Sequence, residues 1–145
     1  MPTSYMKLPY EDKVLRPDAL TAIALETGPV GFRLDIGLNY YRGLPLSAVE
    51  EFTLSIDGEQ IPDHLLLFEF DGKLFPLSQL PLAFSDFWSV KKNLTVLVYQ
   101  GGLKPGDHIV EIGLIMRCVY MQFAPGIWGQ IDNSATRTLT LKEAA

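Results

Sequence analysis

Hydrophobic and polar residues alternate along much of this chain with a period of two, as strands that bury one face require. The clearest run covers residues 32–39, where Phe32, Leu34, Ile36 and Leu38 are apolar and Arg33, Asp35, Gly37 and Asn39 are not. Phe52, Leu54 and Ile56 restart the alternation and end at Asp57-Gly58, a hairpin turn pair. Residues 66–75 predict a small hairpin about a second such pair, Asp71-Gly72. Residues 20–26 alternate less cleanly before Gly28-Pro29, and residues 93–99 are β-branched and apolar. The longest run, residues 108–120, should turn His108, Val110, Ile112, Leu114, Met116, Cys118 and Tyr120 inward. Residues 136–141 make a last strand.

Between these runs lie turns and loops. Residues 1–18, broken by Pro2, Pro9 and Pro17, read as an extended N-terminal arm ahead of one domain over residues 19–145. Ser47 could cap a short turn that carries Glu50, and residues 77–80 allow one helical turn, stopped by Pro81. Phe84, Phe87 and Trp88 fit no period. Residues 121–134 read as a loop rich in aromatic and turn residues. Seven or more short strands without a long helical pattern predict an all-β fold, a sandwich or small barrel.

Charge narrows the partners. Seventeen acidic against 12 basic side chains give a net charge of -5 in 145 residues. That balance argues against nucleic acid, which needs an electropositive footprint, and gives no reason to expect a membrane surface. The start has no basic segment followed by an apolar run, so the expectation is a cytoplasmic protein.

Candidate chemistry is thin. His64 and His108 each follow an aspartate, but neighbours on a strand point to opposite faces and make poor catalytic pairs. They lack metal-ligand spacing, and both suit turns. Cys118 is the single cysteine and lies on the apolar phase of its strand, so it reads as a core residue. Asp35, Glu50, Glu51, Glu69 and Glu111 could supply paired carboxylates for glycoside hydrolysis, yet all equally suit a solvated sheet face. No phosphate-binding glycine loop occurs. More telling is a surplus of large amphipathic side chains in predicted loops: Tyr40, Tyr41 and Arg42 before Gly43, then Tyr120, Met121, Phe123 and Trp128. Interfaces favour these residue types because they bury much area while keeping polar handles. Covering the ends of a sandwich would use them equally well.

Two strings are more specific. Tyr40-Tyr41-Arg42-Gly43-Leu44-Pro45-Leu46-Ser47 is followed, past Asp57-Gly58, by Gly101-Gly102-Leu103-Lys104-Pro105-Gly106-Asp107-His108. With the strand ending at residues 117–120 and the terminal Arg137-Thr138-Leu139-Thr140-Leu141, this pattern resembles the small beta subunit of bacterial C-glycoside deglycosidases over most of residues 20–141. One departure is Gln122, where members carry proline.

The resemblance implies a single-domain antiparallel β-sandwich that joins a larger TIM-barrel alpha subunit. That partner would hold a divalent metal, manganese or similar, and the main acid–base residues. No cofactor or metal and no catalytic residue is then expected in this chain. The complex would cleave the carbon–carbon bond of a 3-oxo-C-glycoside, of flavonoid type, by elimination. Tyr40, Tyr41, Arg42, Leu44, Met121, Phe123 and Trp128 would contribute to the subunit interface or rim a shared active site. Two other readings stand beside this one. The first is an independent carbohydrate- or small-ligand-binding module in which Trp88 or Trp128 stacks on a sugar; the second is a stand-alone glycosidase.

Overall fold

The computed structural model describes residues 5–143; residues 1–4 of the expected arm and 144–145 of the expected domain lie outside the described residues. The strands are, in chain order, β1 (Tyr5–Met6), β2 (Leu20–Leu25), β3 (Gly28–Ile36), β4 (Leu44–Pro45), β5 (Val49–Ile56) and β6 (Glu59–Gln60). They continue with β7 (Leu66–Phe70), β8 (Lys73–Pro76), β9 (Phe87–Trp88), β10 (Leu94–Val98), β11 (Asp107–Ala124), β12 (Ile127–Asp132) and β13 (Ala135–Thr140). Among the described residues, helix is limited to short 3-10 turns.

Two sheets pack face to face as a single-domain, all-β sandwich. One has the order β1–β12–β11–β5–β6, with β13 beside the incoming half of β11; the other runs β2–β3–β10–β7–β8. A two-stranded ribbon, β4–β9, stands apart. Pairing is antiparallel except where β1 runs parallel to β12 and Thr21 bridges Lys142. The alternating residues of β3, β5 and β7 face one another across the middle, and all are buried. Phe52 of β5 meets Phe68 of β7 edge to face with ring centroids 5.0 Å apart. Central β10 is buried along its whole length, so it carries no polar alternation. The Asp-Gly pairs do form hairpin turns, with Asp57 and Asp71 at φ 53 and 50 and the following glycines also at positive φ.

Four expectations change. Residues 121–134 are not a loop: β11 continues to Ala124 and returns through Pro125-Gly126 as β12. The inward phase of β11 holds through Cys118 but fails at Tyr120, which is exposed, because the β11–β12 register shifts between Cys118 and Gln122. Ser47 is buried inside a 3-10 turn (Leu46–Ala48) and makes no capping bond, and Pro81 lies within its own 3-10 turn (Leu77–Leu82) instead of ending it.

His108 closes one end of the sandwich. Its Nδ1 lies 2.7 Å from an Asp57 carboxylate oxygen, and its Nε2 lies 2.6 Å from the Lys104 carbonyl. Both neighbours accept hydrogen bonds, so the doubly protonated ring satisfies both at once. The other Asp57 oxygen accepts the Ile109 N–H at 2.8 Å, which ties the β5–β6 turn to the start of β11. Burial pulls the His108 pKa down but is outweighed by Asp57, the Lys104 carbonyl and the charge of Asp107, so it lies above the ordinary 6.5. The His108 and Ile109 bonds in turn hold Asp57 below its ordinary 3.8.

A pH dependence follows with a definite sign. The histidine contribution is complete below 6.5 and is lost as pH rises through the raised folded value. The aspartate contribution is complete above 3.8 and is lost as pH falls through the lowered folded value; being exposed, Asp57 contributes little in salt. Urea denaturation from about pH 4 to about pH 9 should show stability declining through the alkaline limb. In His108→Gln that decline should be absent.

Candidate functional site

Chain geometry after β3 sets up the most distinctive surface. Residues 37–43 leave the five-stranded sheet and cross toward the end of β11. Tyr40 is buried there, with its hydroxyl 3.4 Å from the Cys118 sulfur. Burial, then the contacts with Cys118 and Tyr41, hold its phenol far above the ordinary tyrosine value, so it stays neutral. Tyr41 packs on it with ring centroids 4.5 Å apart, and Tyr120 stacks on it at 6.4 Å and 15°. The Tyr120 hydroxyl donates to the Gly43 carbonyl at 2.8 Å. Arg42 lays its guanidinium over the Tyr120 ring, with Cζ 3.6 Å from the centroid.

The ribbon completes the edge. Leu44 pairs with Trp88 and Pro45 with Phe87. Leu44 and Trp88 are fully buried, so they anchor the edge from beneath instead of forming its surface. The Trp88 indole N–H donates to the Lys92 carbonyl at 2.9 Å, and a buried Asp86 meets Lys73 at 3.0 Å; both fix the approach to β9. Outward from this footing stand Tyr41, 64% exposed, and Phe87, 52% exposed. Leu82 and Phe84 project from the segment just before β9.

A second group sits beyond Tyr120 on the β11–β12 hairpin. Phe123 is exposed, whereas Met121 and Trp128 are half-buried. Gly129 makes room for this arrangement, since a Cβ there would stand 3.3 Å from the Met121 Cβ and 3.7 Å from the Phe123 ring. The structure therefore gathers Tyr40, Tyr41, Arg42 and Tyr120 into one cluster above Leu44. Met121, Phe123 and Trp128 lie farther along the same strand end. Phe87 and its neighbours went unpredicted because they fit no period, and only the Gly43 contact reveals their place.

The candidate carboxylates fall into two sets, one on each sheet. On the five-stranded sheet Asp35 and Glu69 stand in register on either side of Thr95, where Asp35 accepts the Thr95 hydroxyl at 2.6 Å and Glu69 pairs with Arg33 at 3.7 Å. Glu50 pairs with Arg117 at 3.3 Å, and Glu50, Glu51 and Glu111 belong to the other sheet. The sandwich core lies between the two sets. Both ring nitrogens of His108 are engaged, His64 is exposed on a 3-10 turn (Asp63–Leu65), and Cys118 is sealed beneath Tyr40. Among the described residues, no group of three or more His, Cys, Asp or Glu is placed to hold a metal ion.

Comparison with known proteins gives a consistent picture. Residues 10–120 match the family model described as C-glycoside deglycosidase beta subunit. A C-glycoside deglycosidase beta subunit from Arthrobacter globiformis is 33% identical over 99 residues, which cover 67% of this chain and 75% of the relative. A 3'-dehydrocarminate deglycosidase beta subunit from a Microbacterium species is 34% identical over 116 residues, covering 79% of this chain and 83% of the relative. A third similar protein, a C-glycoside deglycosidase beta subunit from Eubacterium cellulosolvens, is 29% identical over 92 residues, with 63% of each chain covered.

Gly43 offers a direct test of how this edge is held. A Cβ there would fall 2.3 Å from the Phe87 ring and 2.7 Å from the Trp88 carbonyl oxygen, and the second of these is backbone that a rotamer change cannot move. Gly43→Ala should lower stability by about 1–3 kcal/mol in urea denaturation, as overpacking does.

Proposed function

The chain belongs to the C-glycoside deglycosidase beta subunit family, and from that premise we propose that it is the accessory, non-catalytic subunit of a cytoplasmic heteromeric lyase. Its partner is a TIM-barrel alpha subunit that holds a divalent metal and the acid–base residues. The observation that carries this reading is a built aromatic edge around Tyr40, Arg42 and Tyr120, beside which Asp35, Glu50, Glu69 and His108 are already committed within the fold. This chain's own residues do not fit the metal, because among those described no ligand group converges.

The reaction so served is elimination. In a 3-oxo-C-glycoside the C3 ketone acidifies the proton on C2. A base removes that proton, the electron pair forms a C1–C2 double bond, and the carbon–carbon bond at C1 breaks. The phenolic aglycone leaves with the bonding pair and is protonated in turn. This chain takes no proton in that sequence; it docks against the subunit that does, with Tyr41, Arg42, Phe87 and the hairpin of Phe123 and Trp128 at the contact or the rim of the shared site.

An independent sugar-binding module is the less favoured reading. Of its two candidate stacking residues, Trp88 has no exposed face and Trp128 is half-buried. The deciding experiment co-expresses this chain with a sugar-isomerase-like TIM-barrel protein from the same genome and assays a 3-oxo-C-glycoside with divalent metal. The complex should release aglycone at a rate at least about a hundredfold above either chain alone, a gap of some 2.7 kcal/mol in barrier. A chain that cleaves or binds its sugar unaided, or that fails to co-purify, would overturn the proposal.

A further inference from the structure

The geometry points to a more specific role, which rests on the docking reading above: Arg42 is the polar anchor of the aromatic edge and grips one carboxylate of the alpha subunit through two parallel N–H bonds. Tyr120 covers one flat face of the guanidinium at 3.6 Å. Tyr120 is itself fixed by its bond to the Gly43 carbonyl and by its stack on buried Tyr40. Stacking of this kind occupies the face of the cation and leaves its N–H edge, the forked side that matches a carboxylate, turned outward.

Among the described residues Arg42, like Arg16, forms no ion pair and no side-chain hydrogen bond, whereas Arg33, Arg117 and Arg137 each have an in-chain acceptor; the guanidinium of Arg42 is the one of the two laid over an aromatic ring. Acidic side chains outnumber basic ones by 17 to 12, yet among the described residues this oriented cation has no acid paired with it. The surroundings add a reason for an anionic partner. Exposed Tyr41 and Phe87 flank the segment that carries Arg42, so covering them with another protein also strips water from the guanidinium. A charge dehydrated in this way has to meet its opposite, and a side-chain carboxylate supplies both charge and matching geometry.

Dilution of the co-expressed complex, followed by sedimentation, measures the dissociation constant for the wild type, Arg42→Met and Arg42→Lys. Arg42→Met should weaken the complex at least about tenfold and flatten its salt dependence. Arg42→Lys, which keeps the charge and loses the fork, should fall between it and the wild type. Because Arg42 is exposed, the Tm of either free variant should stay within about 2 °C of the wild type. A wild-type complex that forms normally while Arg42→Met binds within about twofold overturns the inference and leaves the docking reading intact. Unchanged affinity with a raised KM assigns the fork to substrate and also overturns it. Failure of the wild type to form any complex is a different result, which removes the docking reading itself.

Discussion

Asn39 and Asn133, both without solvent exposure, use both ends of their side-chain amides on backbone groups of separate segments. Asn39 accepts from the Tyr10 N–H at 3.0 Å and donates to the Leu8 carbonyl at 2.9 Å. Asn133 accepts the Asn39 N–H and donates to the Gly37 carbonyl at 3.1 Å, while its own N–H reaches the Leu114 carbonyl at 2.8 Å. A buried amide costs free energy unless it is paired, so these bonds have to form together. Together they hold the chain leaving β3 against β11 and against residues 8–10. Tyr40 is the next residue, and its position over Cys118 follows from this clasp. The aromatic edge is thus placed by the same contacts that join the two sheets.

Strands proved legible wherever one face is buried and the other wet. The inward residues of β3, β5 and β7 are buried as their alternation predicts, because a slip of one residue would expose every one of them. β12 escaped notice for a local reason. Its inward positions include Gly129 and Ile131, and glycine contributes no hydrophobic signal. The register shifts opposite β12 also break the pairing, which is why Tyr120 turns outward after the regular alternation from His108 to Cys118. A bulge leaves no mark in a period-two pattern, although here it decides which side of the sandwich meets solvent.

The candidate site was legible as composition and not as geometry. Tyr40, Tyr41 and Arg42 stand together in sequence, and interface chemistry alone singles them out. Their connection to Tyr120 crosses 77 residues at the Gly43 carbonyl, and nothing in either segment announces it. Leu44 belongs to the same string but points inward, since its pairing with Trp88 holds the ribbon down. Phe87 reaches the edge only because Gly43 lacks a side chain to exclude it. Both contacts depend on tertiary placement, which is why spacing along the chain could not supply them.

Rigidity separates this edge from the exposed apolar residues scattered over the rest of the molecule. Leu25, Leu74 and Ile109 are also exposed, and isolated residues of that kind are ordinary on any protein surface. At the edge, by contrast, each large group is already held. Tyr120 is tied to backbone, Arg42 rests on Tyr120, Tyr41 packs on a buried ring, and Phe87 lies against Gly43. Immobilising a long side chain on association costs on the order of 0.5–1.5 kcal/mol, and here much of that ordering has occurred during folding. A surface ordered in advance binds more tightly for the same area. That property suits a subunit whose contribution is to dock, and it places the energetic demand on the sandwich core, where the asparagine clasp and the sheet packing meet it.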